Sequence, residues 1–384
     1  MKLIHIFTVF GTAESFFDGQ FKYLVSQGYD IILMSSDSPK ALAFAERNNI
    51  RFIPVNIPRS LSPKSIIKAV RLIRMIIKQE KPDAVFGHTP VGAMVAMIAA
   101  KLEGVKNRIY YRHGLIYTTM SGIKKVIFKI EEQFVAAMAT KIVNVSHSLS
   151  RLAVQEHLNS DKKQRVIGAG TCGGIDAINL FNPQLLDAER VVSMRQQYGL
   201  SDVDVAFGFC GRICRDKGVP ELVEAFYKFQ EKHSNIKAKL ILVGRFDDRD
   251  AVTADTKHKI ENNQDTIWCG LVSKQDLPYY YAMMDVFVFP SHREGFGMCV
   301  LEASAMEKPI LVSHAHGCED SIIENRTGFY IPISSEGICE GMGKMLDVDL
   351  REQFGKIGRK MVLEHYDFRI MWPSVSNLYA EILK

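Results

Sequence analysis

Residues 285–302 read DVFVFPSHREGFGMCVLE. Asp285 opens a short apolar run, Val286 to Phe289, that Pro290 and Ser291 close. A loop with Glu294 follows, punctuated by Gly295 and Gly297, and from about Met298 the spacing predicts a helix. A buried strand passing through a glycine loop into a helix is the repeating unit of a doubly wound α/β sheet.

The same unit recurs in both directions from there. VDVAFGFCG (203–211), AKLILVG, DTIWCG, KPILVSH and GFYIP read as further strands of the second half, with helices expected over 220–233, 274–284 and 298–306. In the first half, KLIHIFTVF, DIILMSS, NIRFIPVNI, DAVFGHT, NRIYYRHG and KIVNVS alternate with stretches of helix length. Such alternation predicts parallel strands joined by crossover helices. Two Rossmann-like doubly wound domains follow, 1–182 and 183–366, facing across a cleft, with the break at Phe181-Asn182-Pro183 and a polar connection over 183–202. The tail 367–384 reads as a helix with Trp372, Val375, Leu378, Tyr379 and Ile382 on one side. It could cap its own domain or return to the first, and the return is the expectation. Ligands of such sheets bind beyond the carboxyl ends of the strands, so the residues just after each strand are the candidates.

Composition excludes several classes. A chain of 384 residues that is 47% hydrophobic and 24% charged is globular and large enough for two cores. Seven cysteines without a C-x-x-C pair argue against a disulfide scaffold or a zinc ribbon. The opening MKLIHIFTVFG reads as a strand reaching a glycine rather than a cleavable leader. The longest uncharged apolar run, Val91 to Ala100, is far short of the ~20 residues a membrane span needs. A reducing, cytoplasmic address is expected.

The net charge of +5 conceals a division. Residues 1–182 carry 24 Lys and Arg against 13 Asp and Glu, whereas 183–384 carry 24 against 30. Lys64, Lys68, Arg71, Arg74 and Lys78 recur at spacings of three and four along one face of a predicted helix, 62–81, with Ile66, Ile67, Val70, Ile73 and Ile77 on the other. The pattern fits a surface helix packed by its apolar stripe, or one whose basic face also rests on anionic lipid, peripheral on the inner leaflet. Lys124, Lys125 and Lys129 add a second basic, partly apolar stretch. No nucleic-acid motif is present, so nucleic acid is not an expected partner.

Two motifs carry chemistry. GRICRDKG, Gly211 to Gly218, has neither the Walker spacing nor the dinucleotide glycine fingerprint. It places Arg212 and Lys217 in a glycine-bounded loop before a helix, a guanidinium fork and an ammonium that suit a diphosphate. After the second strand, Glu294 can hold sugar hydroxyls, and Gly295, Phe296, Gly297 and Met298 bring backbone and a helix N-terminus to a phosphate. Glu302, about one turn inside that helix, can accept from both hydroxyls of a ribose.

The pairing of GRICRDKG with EGFGMCVLE resembles the signature of family 4 retaining glycosyltransferases of the GT-B fold. His88-Thr89-Pro90 with VGAMVAMIAAKLEGVKNRIYYRHGL, then NVSHSLS, GGID and AHGCEDSIIENRTGFYIP, resemble the bacterial capsule and O-antigen branch. The resemblance implies that Arg212 and Lys217 hold and stabilise the leaving diphosphate, that Glu294 meets the donor sugar and Glu302 the ribose, and that His113 lies near the reacting carbon. Backbone at Leu271 and Val272 would read the base, and Gly11 would approach the phosphates. Thr12, Glu14, Ser15 and His88 are candidate acceptor contacts, although the loop Phe10 to Ser15 has one glycine where the family usually has a pair.

The implied reaction is transfer, with retention, of an N-acetylhexosamine or related hexose from a UDP-sugar to a polyprenyl-diphosphate-linked saccharide, by front-face displacement and without a metal. Asp248-Arg249-Asp250 reads as solvated rather than as a metal motif. A GT-B sugar-nucleotide epimerase and a non-catalytic sugar-nucleotide-binding subunit are the alternatives.

Overall fold

The computed structural model describes residues 1–57, 62–201 and 204–384 and divides into two units. The first comprises Met1–Gly174 with Phe368–Lys384, and the second Ile175–Asp367. All twelve strands read from the sequence are present, although Val203, the expected start of one, lies outside the described residues.

In the first unit β1 (Lys2–Phe7), β2 (Asp30–Ser35), β3 (Arg51–Pro54), β4 (Ala84–His88), β5 (Asn107–Arg112), β6 (Lys141–Asn144) and β7 (Gln164–Val166) form a parallel sheet in the order β3-β2-β1-β4-β5-β6-β7. Ile4, Ile6, Ile32, Met34, Val85, Tyr110 and Ile142 belong to one apolar cluster with residues of the helices Pro63–Glu80 and Pro90–Leu102. Gly87 permits that packing, since a Cβ there would stand 2.7 Å from Ala93 Cα. The opposite set of alternate residues includes His5, Phe7, Phe86, His88 and Tyr111, all fully buried.

In the second unit β8 (Val205–Cys210), β9 (Ala238–Val243), β10 (Thr266–Gly270), β11 (Val286–Phe289), β12 (Ile310–Ser313) and β13 (Gly328–Ile331) form a parallel sheet in the order β10-β9-β8-β11-β12-β13. The strand order reverses between β8 and β11, the place where an open α/β sheet leaves a crevice. GRICRDKG leaves β8 and EGFGMCVLE follows β11, so the two motifs emerge at that switch point.

Several expectations are corrected. The division falls at Gly174/Ile175, ahead of Asn182-Pro183, because residues 175–182 are stitched into the second unit. Arg359 donates to the carbonyls of Phe181 (3.1 Å) and Ala177 (3.2 Å) and to Asn182 Oδ1 (2.9 Å), and Ile175 bridges to Asp367. The polar connection holds a helix, Ala188–Gln197, capped by the Asp187 side chain. Phe10 to Ser15 is not a loop but the start of the helix Phe10–Phe17. Strand β7 was not anticipated, being three residues long with two polar members.

The tail helix, Phe368–Ile382, belongs to the first unit, burying Met371, Val375, Leu378, Tyr379 and Ile382, while Trp372 donates to Gly173 O (2.8 Å). The helix Pro63–Glu80 buries Ala69, Val70, Ile73 and Ile77, but Ile67 is half exposed and Arg74 is tied to Glu103 (2.7 Å).

Candidate functional site

The loop after β8 is shaped by its ends. Gly218 has φ 68°, and a Cβ there would collide with the carbonyl of Pro290 at the end of β11. Only glycine meets both demands, and the tight approach delivers Lys217 to the next loop. The stretch Phe246 to Asp250 grips the other side. Ile213 bridges to Phe246, Arg212 pairs with Asp247, and Asp250 Oδ2 accepts from the Asp216 N–H (2.6 Å). Asp250, expected to be solvated, therefore clamps the phosphate-motif backbone.

The loops after β8 and β11 are cross-braced. Asp216 takes the Arg293 guanidinium (2.9 Å), and its carbonyl accepts from the His292 N–H (2.9 Å) and the Ser291 hydroxyl (3.2 Å). Lys217 Nζ donates to Glu294 Oε1 in an ion pair whose side chains are each only 13% exposed. Burial works against the ammonium, but the charge and hydrogen bond of Glu294 overcome it, so the Lys217 pKa stands above the ordinary lysine value. Loop Glu294–Gly297 is backed by the turn after β12, where Gly317 (φ 81°) leaves no room for a side chain against the Glu294 and Gly295 carbonyls. Glu294 N–H donates to His316 O (3.4 Å) and Gly297 N–H to Gly317 O (3.3 Å).

The helix Met298–Ala305 starts where the sequence places it, with Gly297 as its cap. The Gly297 and Met298 N–H groups are engaged within the protein, Met298 with Phe296 O (2.8 Å), so a phosphate meets a turn that is already partly satisfied. Phe296 is buried with its ring 5.5 Å from that of Tyr366 and can offer a ligand its backbone only. Glu302 Oε2 accepts from the Tyr281 hydroxyl (2.8 Å), and burial pushes its carboxyl up to about 7. After β10, Val272 is half-buried and Leu271 is 78% exposed, so this edge is open to a base. Among the described residues no three His, Cys, Asp or Glu side chains converge to hold a metal ion.

In the first unit, Gly11 is exposed, with nothing within 4 Å of where a Cβ would stand. Thr12 is half-buried, Glu14 faces Arg47 (3.7 Å), and the Ser15 hydroxyl bonds back to Gly11 O (2.8 Å) within its own helix. His113, half-buried just past β5, has its Nε2 3.0 Å from His88 Nδ1. His88, expected at the acceptor, has no exposed surface and both ring nitrogens engaged, so it contacts no acceptor directly.

Sequence reasoning missed Asp247, Asp250, Tyr281 and Gly317. Asp247, Asp250 and Gly317 act on motif residues from the loops after other strands, where the local signal was a polar or glycine residue. Tyr281 reaches Glu302 from the helix Leu277–Met283, where it reads as one more apolar core position.

Residues 193–361 match the family model of glycosyl transferases group 1, and residues 6–147 that of glycosyl transferase 4-like proteins. The chain is 29% identical to the capsular polysaccharide biosynthesis glycosyltransferase CapM of Staphylococcus aureus over 100% of this chain and 98% of that one. It is 21% identical to an Escherichia coli UDP-Gal:alpha-D-GlcNAc-diphosphoundecaprenol alpha-1,3-galactosyltransferase over 95% and 92% of the two chains. The fold is shared with HepE of Anabaena, solved in complex with UDP and glucose, at a TM-score of 0.80 and 17% identity over 99% and 100% of the two chains. With its strand-end motifs and both family models matched, the chain belongs to the glycosyltransferases of the GT-B fold that join a 4-like first domain to a group 1 second domain.

Proposed function

We propose that the chain transfers a hexose or N-acetylhexosamine, with retention, from a UDP-sugar to a polyprenyl-diphosphate-linked saccharide in surface-polysaccharide synthesis. The observation that carries this reading is the buried Lys217–Glu294 pair at the β8/β11 switch point, with Arg212 on the same loop and Glu302 inside the following helix. A diphosphate entering there competes with Glu294 and Asp247 for two cations. The charge that develops as the nucleotide leaves is then met by groups already in place, which is how a preorganised site lowers a barrier. Glu294, released in part from Lys217, is left to hold the sugar. Because Arg212 and Lys217 supply the positive charge, transfer proceeds without a metal, and excess chelator leaves the rate unchanged. Loss of activity that Mg²⁺ or Mn²⁺ restores would overturn that part.

The acceptor and membrane reading draws support from the diphosphoundecaprenol-linked acceptor named for the Escherichia coli relative and from the first unit's surface. On the helix Gly122–Met138, Ile123, Val126, Ile127, Ile130 and Phe134 face outward, Ile123 at 76% exposure, while Glu131 and Glu132 are buried. This inverts the usual arrangement and suits a helix lying in a lipid interface. Lys124 and Lys125 flank the stripe. The helix Pro63–Glu80 exposes Lys64, Lys68, Arg71 and Lys78 with Met75, and both helices pack against Pro90–Leu102. Among the described residues no helix is long and apolar enough to cross a membrane.

A thermal-shift screen of nucleotides and sugar nucleotides, followed by transfer onto an undecaprenyl-diphosphate saccharide, tests the whole reading. Stabilisation by UDP-sugars is expected, with free UDP and product appearing together only when acceptor is present. UDP release without acceptor, or no stabilisation by any nucleotide, would overturn it.

A further inference from the structure

Three histidines cross the first unit's sheet in a line. The register sets His5 opposite Phe86 and His88 opposite Tyr111, so each histidine stands two residues farther toward the carboxyl ends than the one before. His5 Nδ1 lies 3.0 Å from His88 Nε2, and His88 Nδ1 lies 3.0 Å from His113 Nε2. Aromatic rings fix the planes. His5 stacks on Phe86 (4.3 Å), His88 on Phe7 (4.0 Å) with Phe17 edge-on (5.1 Å), and His113 on Phe16 (5.4 Å). The family resemblance sets His113 near the reacting carbon, and nothing above gives His5 or His88 a role in the proposed transfer.

A neutral imidazole has one N–H and one lone pair, so two ring-to-ring bonds in series lock the three proton positions together. Burial holds His5 down at about 3 and His113 at about 4, and His88, with its two histidine neighbours adding to the effect, lies well below the usual range. All three are therefore neutral near pH 7. The direction of the chain is set at its inner end. His5 Nε2 is buried beside Phe17, Phe21 and Phe86 and has no hydrogen-bond partner among the described residues. Orphaned buried N–H groups are rarer in proteins than under-used acceptors, so the His5 proton belongs on Nδ1. His88 then accepts at Nε2 and donates from Nδ1, and His113 accepts at Nε2 and keeps its own proton on Nδ1. Among the described residues that N–H meets the Cys172 sulfur at 3.9 Å, a weak acceptor that a sugar oxygen can replace.

We propose that His88, backed by His5, is a positioning residue that holds His113 in the Nδ1–H tautomer, giving the sugar site a neutral hydrogen-bond donor of fixed direction. The inference rests on the reading that His113 meets the donor sugar. Protonating His113 would set two N–H groups against each other, so the chain also resists charging of the ring. The titratable groups facing His113 are His88 on β4, Tyr111 on β5 with Tyr379 of the tail helix behind it, and Cys172.

The test uses the full chain with ¹⁵N-labelled histidine, ring nitrogen shifts being read at neutral pH without ligand, beside steady-state kinetics. The wild type is expected to show His113 protonated at Nδ1. His88→Phe keeps the stacking ring but removes both nitrogens. It is expected to return His113 to the tautomer mixture of a free imidazole and to lower kcat by about 10- to 100-fold, as when an outer partner of a functional imidazole is removed. KM for the donor should move by no more than about twofold. The acid limb of kcat should rise, because no N–H then opposes a proton on Nε2, while burial still holds it below the ordinary histidine range. His88→Asn, which keeps an N–H donor toward His113, is expected to restore the tautomer and most of the rate, and it carries the test where the phenylalanine variant does not fold. An Nε2–H form of His113 in the wild type, or His113 shifts and a pH profile unchanged in both variants, would overturn the inference. His113→Phe separates the two levels. Full turnover in that variant overturns the donor-site reading itself, whereas lost turnover there beside an unaltered His88→Phe overturns only the positioning role.

Discussion

Removing the Glu294 carboxylate leaves Lys217 as a largely buried ammonium without its counter-ion, with the Phe289 ring 5.6 Å from Nζ. Breaking one side of a buried ion pair costs about 3–5 kcal/mol, and some water reaches this pair, which places Glu294→Ala near the lower end, about 3 kcal/mol. For a unit of this size each kcal/mol moves Tm by about 2–4 °C, so Glu294→Ala should melt about 6–12 °C below the wild type. Turnover should fall at least ~100-fold, the scale of losing one preorganised polar contact to the reacting group. The sharper readout is the response to UDP. In the proposed reading the diphosphate competes with Glu294 for Lys217 in the wild type, and in the variant it supplies the anion that Lys217 lacks. UDP at saturation should therefore raise the Tm of Glu294→Ala by more than that of the wild type, even though the variant starts lower. Differential scanning fluorimetry over a UDP series, with a coupled assay for UDP release, measures both. Equal UDP-induced shifts in the two proteins, or a variant that is as stable and as active as the wild type, would refute the reasoning.

In the proposed reading Glu302 accepts two ribose hydroxyls as a carboxylate, and burial pushes its carboxyl up to about 7. UDP affinity by calorimetry should strengthen as pH rises through that value, and Glu302→Gln should flatten the dependence. Neither carboxyl oxygen of Glu131 has a hydrogen-bond partner among the described residues, and burial, with Glu132 nearby, pushes its carboxyl up to about 7. The folded state then holds a proton that the unfolded chain releases near 4.5, so stability is lost as pH rises from about 4.5 to 7. Glu131→Gln should accordingly raise Tm at pH 8 and lose its advantage near pH 4, as thermal melts across pH will show. Paired changes Ile127→Ser and Ile130→Ser, both on exposed positions, should leave Tm within a few degrees and UDP binding intact while weakening co-sedimentation with anionic vesicles at moderate salt. Unchanged sedimentation would remove the outward stripe from the membrane reading. Gly218→Ala forces both a left-handed backbone and a clash with Pro290, and should cost about 1–3 kcal/mol with loss of UDP binding.

The alternation of apolar runs with helical spacing made every strand but β7 legible, because buried parallel strands are apolar on both faces and need no partner to be recognised. β7 is edge-like, short and polar, and Ala188–Gln197 lacks a strong apolar stripe, so neither announced itself. Arg212, Lys217, Glu294 and Glu302 were legible for the opposite reason, as chemically costly residues set among glycines after strands. Asp250 looked solvated because its partner, the Asp216 N–H, is 34 positions away in the chain. His88 looked available because nothing local shows that two other histidines fill its hydrogen-bonding capacity.

The return of Phe368–Lys384 to the first unit has a consequence for synthesis. Chains generally fold domain by domain as they emerge, amino-terminal part first. Here the tail helix supplies Met371, Val375 and Tyr379 to the earlier unit, and the Tyr379 hydroxyl reaches Tyr111. The group 1 domain is thus complete on the ribosome before the domain that precedes it. A stop codon just after Asp367 would spare the second unit and leave the first, made earliest, without the helix that completes its core.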